Sequence, residues 1–304
     1  MVRLFKSNNP LILLFLPLVG FSLLFSLRLL SLSTEKILLI IFLFGVVLST
    51  AIFLNKGLNK TILFGKPIYL SALCITFFSC IDLSSISMYP IVLANLFLCF
   101  GFLNLIKIKR QIPCKGIIFN SSCFILLASV TYPPYLIFIL LPWMSHSIIK
   151  SFNIREFLMP LLAILLFYIY GWSFFRLVNT ELLLEYYSLI FNEGTEPFNY
   201  FHLFIFSTLC VGLLFSLIVL LKLNSSATNR FKKLSWIISL FLFFSLIASA
   251  YNLYSNKPIH GLLTMAVPAS IIIPFLLVHS KKTLLTELFF SSFFIVTLFL
   301  LYLK

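Results

Sequence analysis

Charge is scarce in this chain. Only 10% of its 304 residues are Asp, Glu, Lys or Arg, and just 8 are acidic. A water-facing surface of ordinary charge density cannot be built from so few, since soluble domains run to about 25% charged. A soluble enzyme and a nucleic-acid-binding module are thereby excluded. The six cysteines, Cys74, Cys80, Cys99, Cys114, Cys123 and Cys210, show no paired spacing and sit mostly within apolar runs. Neither a disulfide framework nor a zinc site is indicated. Walker, Rossmann, zincin and serine-hydrolase motifs are missing, so no residue pattern dictates a reaction by itself. No A-x-A-like cleavage site follows the first apolar run, and residues 1–30 read as a retained first span. Without a repeat of fixed period or a long linker, residues 1–304 form a single integral membrane domain.

What fills the chain is hydrocarbon. It is 61% hydrophobic with 37 Phe, and its mean hydropathy is +1.12. Crossing a hydrocarbon layer of about 30 Å takes roughly 20 apolar residues in helix. The charges punctuate the sequence into candidate spans at 11–30, 37–54, 67–81, 86–106, 116–132, 135–149, 157–175, 201–221, 234–254, 261–279 and 288–303. A β-barrel needs alternating segments, whereas these runs are continuously apolar. The expected fold is all-α: a polytopic transmembrane helical bundle of about eleven spans. The stretch 116–149, free of Lys, Arg, Asp and Glu, is broken at Tyr132-Pro133-Pro134-Tyr135. It predicts either a tight hairpin of two short spans or a re-entrant pair, and both return the chain to the side it left.

Orientation follows from the cations, because short loops rich in Lys and Arg stay in the cytoplasm. Arg3 and Lys6, then Lys56, Lys60 and Lys66, Lys107 to Lys115, Lys150 and Arg155, Lys222 to Lys233, and Lys281 and Lys282 all fall in alternate gaps. The other gaps receive Arg28, Lys36, Arg176, Lys257 and Lys304, together with most of the acids. This places the N-terminus in the cytoplasm and the C-terminus in the periplasm. The net charge of +14 is then mainly a topogenic signal, with contact to anionic lipid as its alternative.

Chemistry has few places to sit. The segment 177–200 is a periplasmic loop in which Glu181, Glu185 and Ser188 share one helical face, with Leu182, Tyr186, Leu189 and Ile190 offset from it. That spacing predicts an interfacial amphipathic helix, a connector or a substrate lid. Glu35 and Asp82, in the loops after the first and third spans, are the candidate catalytic acids. Arg176, Lys257 and His260, with Arg28 and His202 on the same side, are candidates for binding a lipid phosphate. Snorkelling from helix ends is the plain structural alternative for these cations. Within the spans, Asn95, Asn104, Asn120, Ser121, Ser122 and His146 fit interhelical hydrogen bonding. No metal site, cofactor or protein partner is specified. Membrane lipids are the expected surroundings, a polyprenyl-phosphate lipid is a candidate partner, and nucleic acid is not one.

One segment carries more than its physics. Phe152-Asn153-Ile154-Arg155-Glu156-Phe157, followed by Pro160-Leu161, resembles the F-N-W-R-E-W…P-L-x-G signature of an uncharacterised family of multi-pass inner-membrane proteins from Bacteroidota. Leu93-Ala94-Asn95-Leu96-Phe97-Leu98 is similar to its L-A-N-x-x-L pattern, and Phe5-Lys6-Ser7-Asn8-Asn9-Pro10 to its F-x-K-S-N-P start. Ile154 and Phe157 replace the two tryptophans, and Ala163 stands where a glycine is usual. The resemblance implies an inner-membrane location and a multi-pass topology, but no activity. Within the segment, Arg155 and Glu156 stand at a helix start on the cytoplasmic face, where they are expected to anchor that helix at the interface. Separately, Glu35 and Asp82 are similar in position to the acids that membrane glycosyltransferases of the C superfamily place in their first outer loops. Their implied role is base or metal ligand, with Arg176 holding a phosphate. Three functions follow as expectations: an envelope glycosyltransferase-like enzyme using polyprenyl-phosphate-linked sugars on the periplasmic face, a non-catalytic scaffold of an envelope complex, and a transporter of lipid-linked substrates.

Overall fold

The computed structural model describes residues 5, 10–18, 20, 34–61, 63–65, 67–80, 89–110, 113–177, 200–255, 258–279 and 291. Every element among them is helical. After a 3-10 turn at Pro10–Phe15 come α1 (Thr34–Thr61), α2 (Leu70–Cys80), α3 (Tyr89–Ile106), α4 (Lys115–Thr131), a 3-10 stretch at Pro133–Ile139, α5 (Leu140–Ile149) and the single turn α6 (Ile154–Phe157). The chain continues through α7 (Met159–Leu177), α8 (Tyr200–Ser226), α9 (Asn229–Tyr254) and α10 (Pro258–His279). Six helices among the described residues are long and apolar enough to cross a membrane: α1, α3, α6 with α7, α8, α9 and α10. The molecule is a multi-pass membrane protein. The segments expected at 11–30, 177–200 and 288–303 lie largely outside the described residues.

Tertiary contacts replace lipid around two of the helices. Of the segment expected at 67–81, the described residues form the 11-residue helix α2, all of them buried. Protein, and not lipid, is its solvent. The same holds for α10, whose apolar window is 89% buried. This central helix packs against α2, α3, α8 and α9. It contains Pro268 and Pro274, tolerated in a membrane helix where neighbouring helices and side chains re-satisfy the freed backbone. In contrast α7, 11% buried over its window, lies at the periphery.

The stretch 116–149 is a two-helix hairpin. Tyr132 is its apex, where the two prolines stop α4 and the chain turns into a 3-10 helix whose N1 and N2 positions they occupy. A 3-10 helix rises about 2.0 Å per residue, so Pro133–Ile149 reaches about 29 Å although only 17 residues long. Close helix approach completes the bundle. Gly101 of α3 lies under α4, where an added Cβ would meet Ile125 Cγ1 at 2.9 Å and the Ser121 carbonyl at 3.3 Å. In turn the Ser121 hydroxyl donates to the Gly101 carbonyl at 2.8 Å. The aromatic excess serves the interior: Tyr132, Tyr135, Phe138, Phe241 and Phe102 form a continuous chain of ring contacts from the hairpin apex to α3.

Gly101→Leu therefore costs about 2 kcal/mol through overpacking at the α3–α4 contact. Gly45→Ala on α1, where an added Cβ meets nothing within 4 Å, is neutral or stabilising. Thermal unfolding in mild detergent, followed by loss of monodisperse protein, checks the pair.

Candidate functional site

The bundle has two chemically different ends. Gly57 of α1 sits against Leu103 of α3, the loop after α3 meets the start of α9, and α8 turns directly into α9. Consequently Lys56, Lys60, Lys107, Lys109, Arg110, Lys115, Lys150, Arg155, Lys222, Arg230, Lys232 and Lys233 gather at one end. α7 starts at this end and runs about 26 Å from Met159 to Arg176, which lies at the opposite end with the hairpin apex. Lys36, in the first turn of α1, is at that far end too.

At the basic end a buried carboxylate ties the hairpin shut. Glu156 is 1% exposed. Its Oε1 accepts the backbone N–H of Cys114 at 3.0 Å and the Lys150 ammonium at 2.9 Å. Its Oε2 accepts Lys150 at 3.0 Å and faces His146 Nε2 at 3.1 Å. Acceptance at both oxygens from an ammonium and an amide is the pattern of an ionised carboxylate. The start of α4 and the end of α5 are thus fastened to one group, which settles that the hairpin returns to the end it left. Asn153 sets this geometry by capping α6, its side chain accepting the Arg155 N–H. Trp143 donates its indole N–H to the Phe157 carbonyl at 2.9 Å, locking α5 to the same turn. His146 Nδ1 is buried without a partner among the described residues.

At the opposite end a second polar cluster sits beneath the Tyr-Pro-Pro-Tyr apex. Asn95 donates to the Leu263 carbonyl at 3.0 Å and accepts the Tyr135 hydroxyl at 2.6 Å. Tyr132 donates to Asn252 Oδ1, whose Nδ2 is buried without a partner among the described residues. His260, 2% exposed, meets the Tyr132 ring edge-on at 6.1 Å. Asn95 is thus an interhelical hydrogen-bonding residue, as expected, and it joins α3 to α10 and the hairpin together. Beside this cluster, on the lipid-facing side of α4, an apolar groove of about 660 Å³ runs between α4 and α7. Leu126, Val130, Ile164, Phe167, Tyr168 and Trp172 line it, and Arg176 closes its end. The Arg176 guanidinium lies over the Trp172 ring, 5.3 Å from its centroid.

Arg176 is exposed on this groove; His260 is buried in the interior beneath the apex. These two of the three expected phosphate-binding groups face different surroundings. Glu35 falls in the first turn of α1, with its side chain outside the described residues, as are Asp82 and Lys257 entirely. Among the described residues no three His, Cys, Asp or Glu side chains converge. Sequence reasoning assigned Glu156 to interfacial anchoring and missed that it organises a buried network. The available signal was a lone acid in a loop otherwise rich in Lys and Arg. No protein-family model matches the chain, and neither does any curated protein or solved structure.

Glu156→Gln removes the carboxylate charge that the Lys150 ammonium, 12% exposed, pairs with. The expected cost is about 2 kcal/mol, below the range for fully buried pairs because Lys150 still reaches water. Lys150→Met in the Glu156→Gln background recovers part of the loss. A double-mutant cycle of unfolding midpoints in detergent measures the coupling; simple additivity would remove the staple from the account.

Proposed function

We propose that this protein is an inner-membrane, glycosyltransferase-like protein that handles polyprenyl-phosphate-linked sugars on the periplasmic face. The supporting observation is the α4–α7 groove: an apolar, aromatic-lined channel open toward lipid that ends on a single guanidinium. An isoprenoid chain fits the chemistry of the walls, and a phosphate fits the planar donor fork of Arg176, already oriented by Trp172. Lys257 and His260 are the further candidates for holding the phosphate. Glu35 and Asp82 serve as base or metal ligand for the acceptor. The resemblance of the Phe152–Phe157 segment to the Bacteroidota family is what supports an inner-membrane location in this reading. In this reading there are about eleven spans, the basic end faces the cytoplasm with the N-terminus, and the C-terminus is periplasmic.

A second reading, an assembly component of an envelope complex, draws on α7. Tyr168 and Trp172 on one side of it and Tyr170 and Phe174 on the other stand exposed, surfaces suited to a partner helix as well as to lipid. Co-purification in mild detergent separates the two, since a stable monomer with lipid bound along α7 supports only the first.

Photo-crosslinking of a polyprenyl-phosphate probe to the wild-type protein in nanodiscs is expected at α4 and α7. Arg176→Ala weakens retention about tenfold, and Arg176→Lys recovers part of it. Labelling that is unchanged in Arg176→Ala refutes the phosphate assignment. Sugar transfer to acceptor that persists in the Glu35→Gln, Asp82→Asn double variant refutes the catalytic one. For orientation, a cysteine introduced at Glu193 reacts with an impermeant maleimide in intact spheroplasts, whereas one at Lys232 reacts only after lysis.

A further inference from the structure

The basic end contains a cavity that the reading above does not use. It has a volume of about 390 Å³ and lies where the loop after α3, the end of α5 and the start of α9 meet. Four cationic side chains border it: Lys109, Arg110, Arg230 and Lys233. Its apolar floor is made by Ile108, Ile149 and Leu234, each buried.

These cations are placed by structure. Lys233 is half-buried and donates one ammonium hydrogen to the Ile149 carbonyl at 2.8 Å, which caps α5 and fixes the charge on the cavity wall. An ammonium has three hydrogens, and among the described residues the Ile149 carbonyl takes one of them. Lys109 and Arg110 lie on a folded segment. The Ile108 N–H bonds the Leu105 carbonyl at 3.1 Å, and the Cys114 thiol lies 3.6 Å from the Lys109 carbonyl. Arg230 sits in the first turn of the 26-residue helix α9, where the helix adds positive potential.

Like charges converging on one cavity repel unless an anion joins them. Glu156 is the only acidic residue whose side chain is described, and both of its oxygens are already engaged by Lys150, Cys114 and His146. Among the described residues, no carboxylate pairs with Lys109, Arg110 or Arg230.

We propose that this cavity binds a phosphate group, carried either by an anionic lipid headgroup or by a soluble phosphate compound. Arginine forks match the phosphate oxygens, Lys233 contributes a point charge from the wall, and the apolar floor accommodates the carbon next to the ester. The site is independent of Arg176, which lies at the other end of the bundle.

Full-length protein in mild detergent is titrated with phosphatidylglycerol, with phosphatidylcholine and with inorganic phosphate, and binding is read by native mass spectrometry and thermal shift. Wild type is expected to retain phosphatidylglycerol over phosphatidylcholine, or to bind inorganic phosphate. The first result identifies the lipid as the source and the second the soluble compound. Arg110→Gln with Arg230→Gln weakens the binding about tenfold or more. Lys222→Gln with Lys232→Gln, which removes the same charge from the same end but not from the cavity, leaves it intact. Equal loss in both double variants overturns the site in favour of diffuse surface charge, and so does a wild type that binds neither probe. Should the glutamine pair fail to fold, Arg110→Lys with Arg230→Lys keeps the charge and loses the fork. That pair is expected to bind weakly, and binding as tight as wild type overturns the fork assignment.

Discussion

In hydrocarbon an unpaired backbone amide or an uncompensated charge costs several kcal/mol, and nothing in the surroundings can relieve it. That constraint explains why every described element is helical, and why the places where helices break are the places where side chains intervene. The two prolines after Tyr132 interrupt α4, and the Cys114 amide ahead of it has no turn of its own helix to bond to. The first break is covered by a layer of tyrosine, asparagine and histidine. The second is resolved by a carboxylate that also neutralises a lysine. The two polar clusters thus lie at the two ends of the 116–149 hairpin, where the helices break.

The same constraint shapes the interior. With little water to drive helices together, packing between them rests on close approach and shape. Gly101 beneath α4 and Gly261 against the Ser249 carbonyl provide the approach, and the Phe and Tyr chain fills the space between helices. The result is a graded bundle. A buried centre of α2 and α10 is surrounded by α1, α3, α8 and α9, and α7 is left on the edge. A peripheral helix separated from its neighbour by an apolar groove is open to lipid without exposing the core. That placement is why the Arg176 groove stands as the candidate for a lipid-borne substrate.

Much of this architecture was legible in advance. Continuous apolar runs announce membrane helices because hydrocarbon accepts little else, and the boundaries of α3, α9 and α10 fall close to the charges that bracket them. The break at Tyr132–Tyr135 also announced itself, since two successive prolines cannot continue a helix. Less was visible of the sites. Asn95 was recognisable as a polar residue in a span, but not its partners Tyr135 and Leu263, which lie 40 and 168 residues away. Glu156 looked like an anchor beside Arg155. Its engagement with Cys114, 42 residues earlier, depends on how the hairpin closes.

Composition and charge order by themselves determined that the chain is helical, membrane-embedded and sharply asymmetric between its two ends. Those properties are sums over local preferences, and each residue contributes whatever its distant neighbours do. Tertiary structure alone decided that α2 is shielded from lipid, that one carboxylate fastens both feet of the hairpin, that His260 turns inward while Arg176 faces a groove, and that four cations border a single cavity. Such facts depend on which helix lies beside which. In an apolar environment many helix faces are nearly equivalent by hydropathy, so only the fit of particular side chains selects among them.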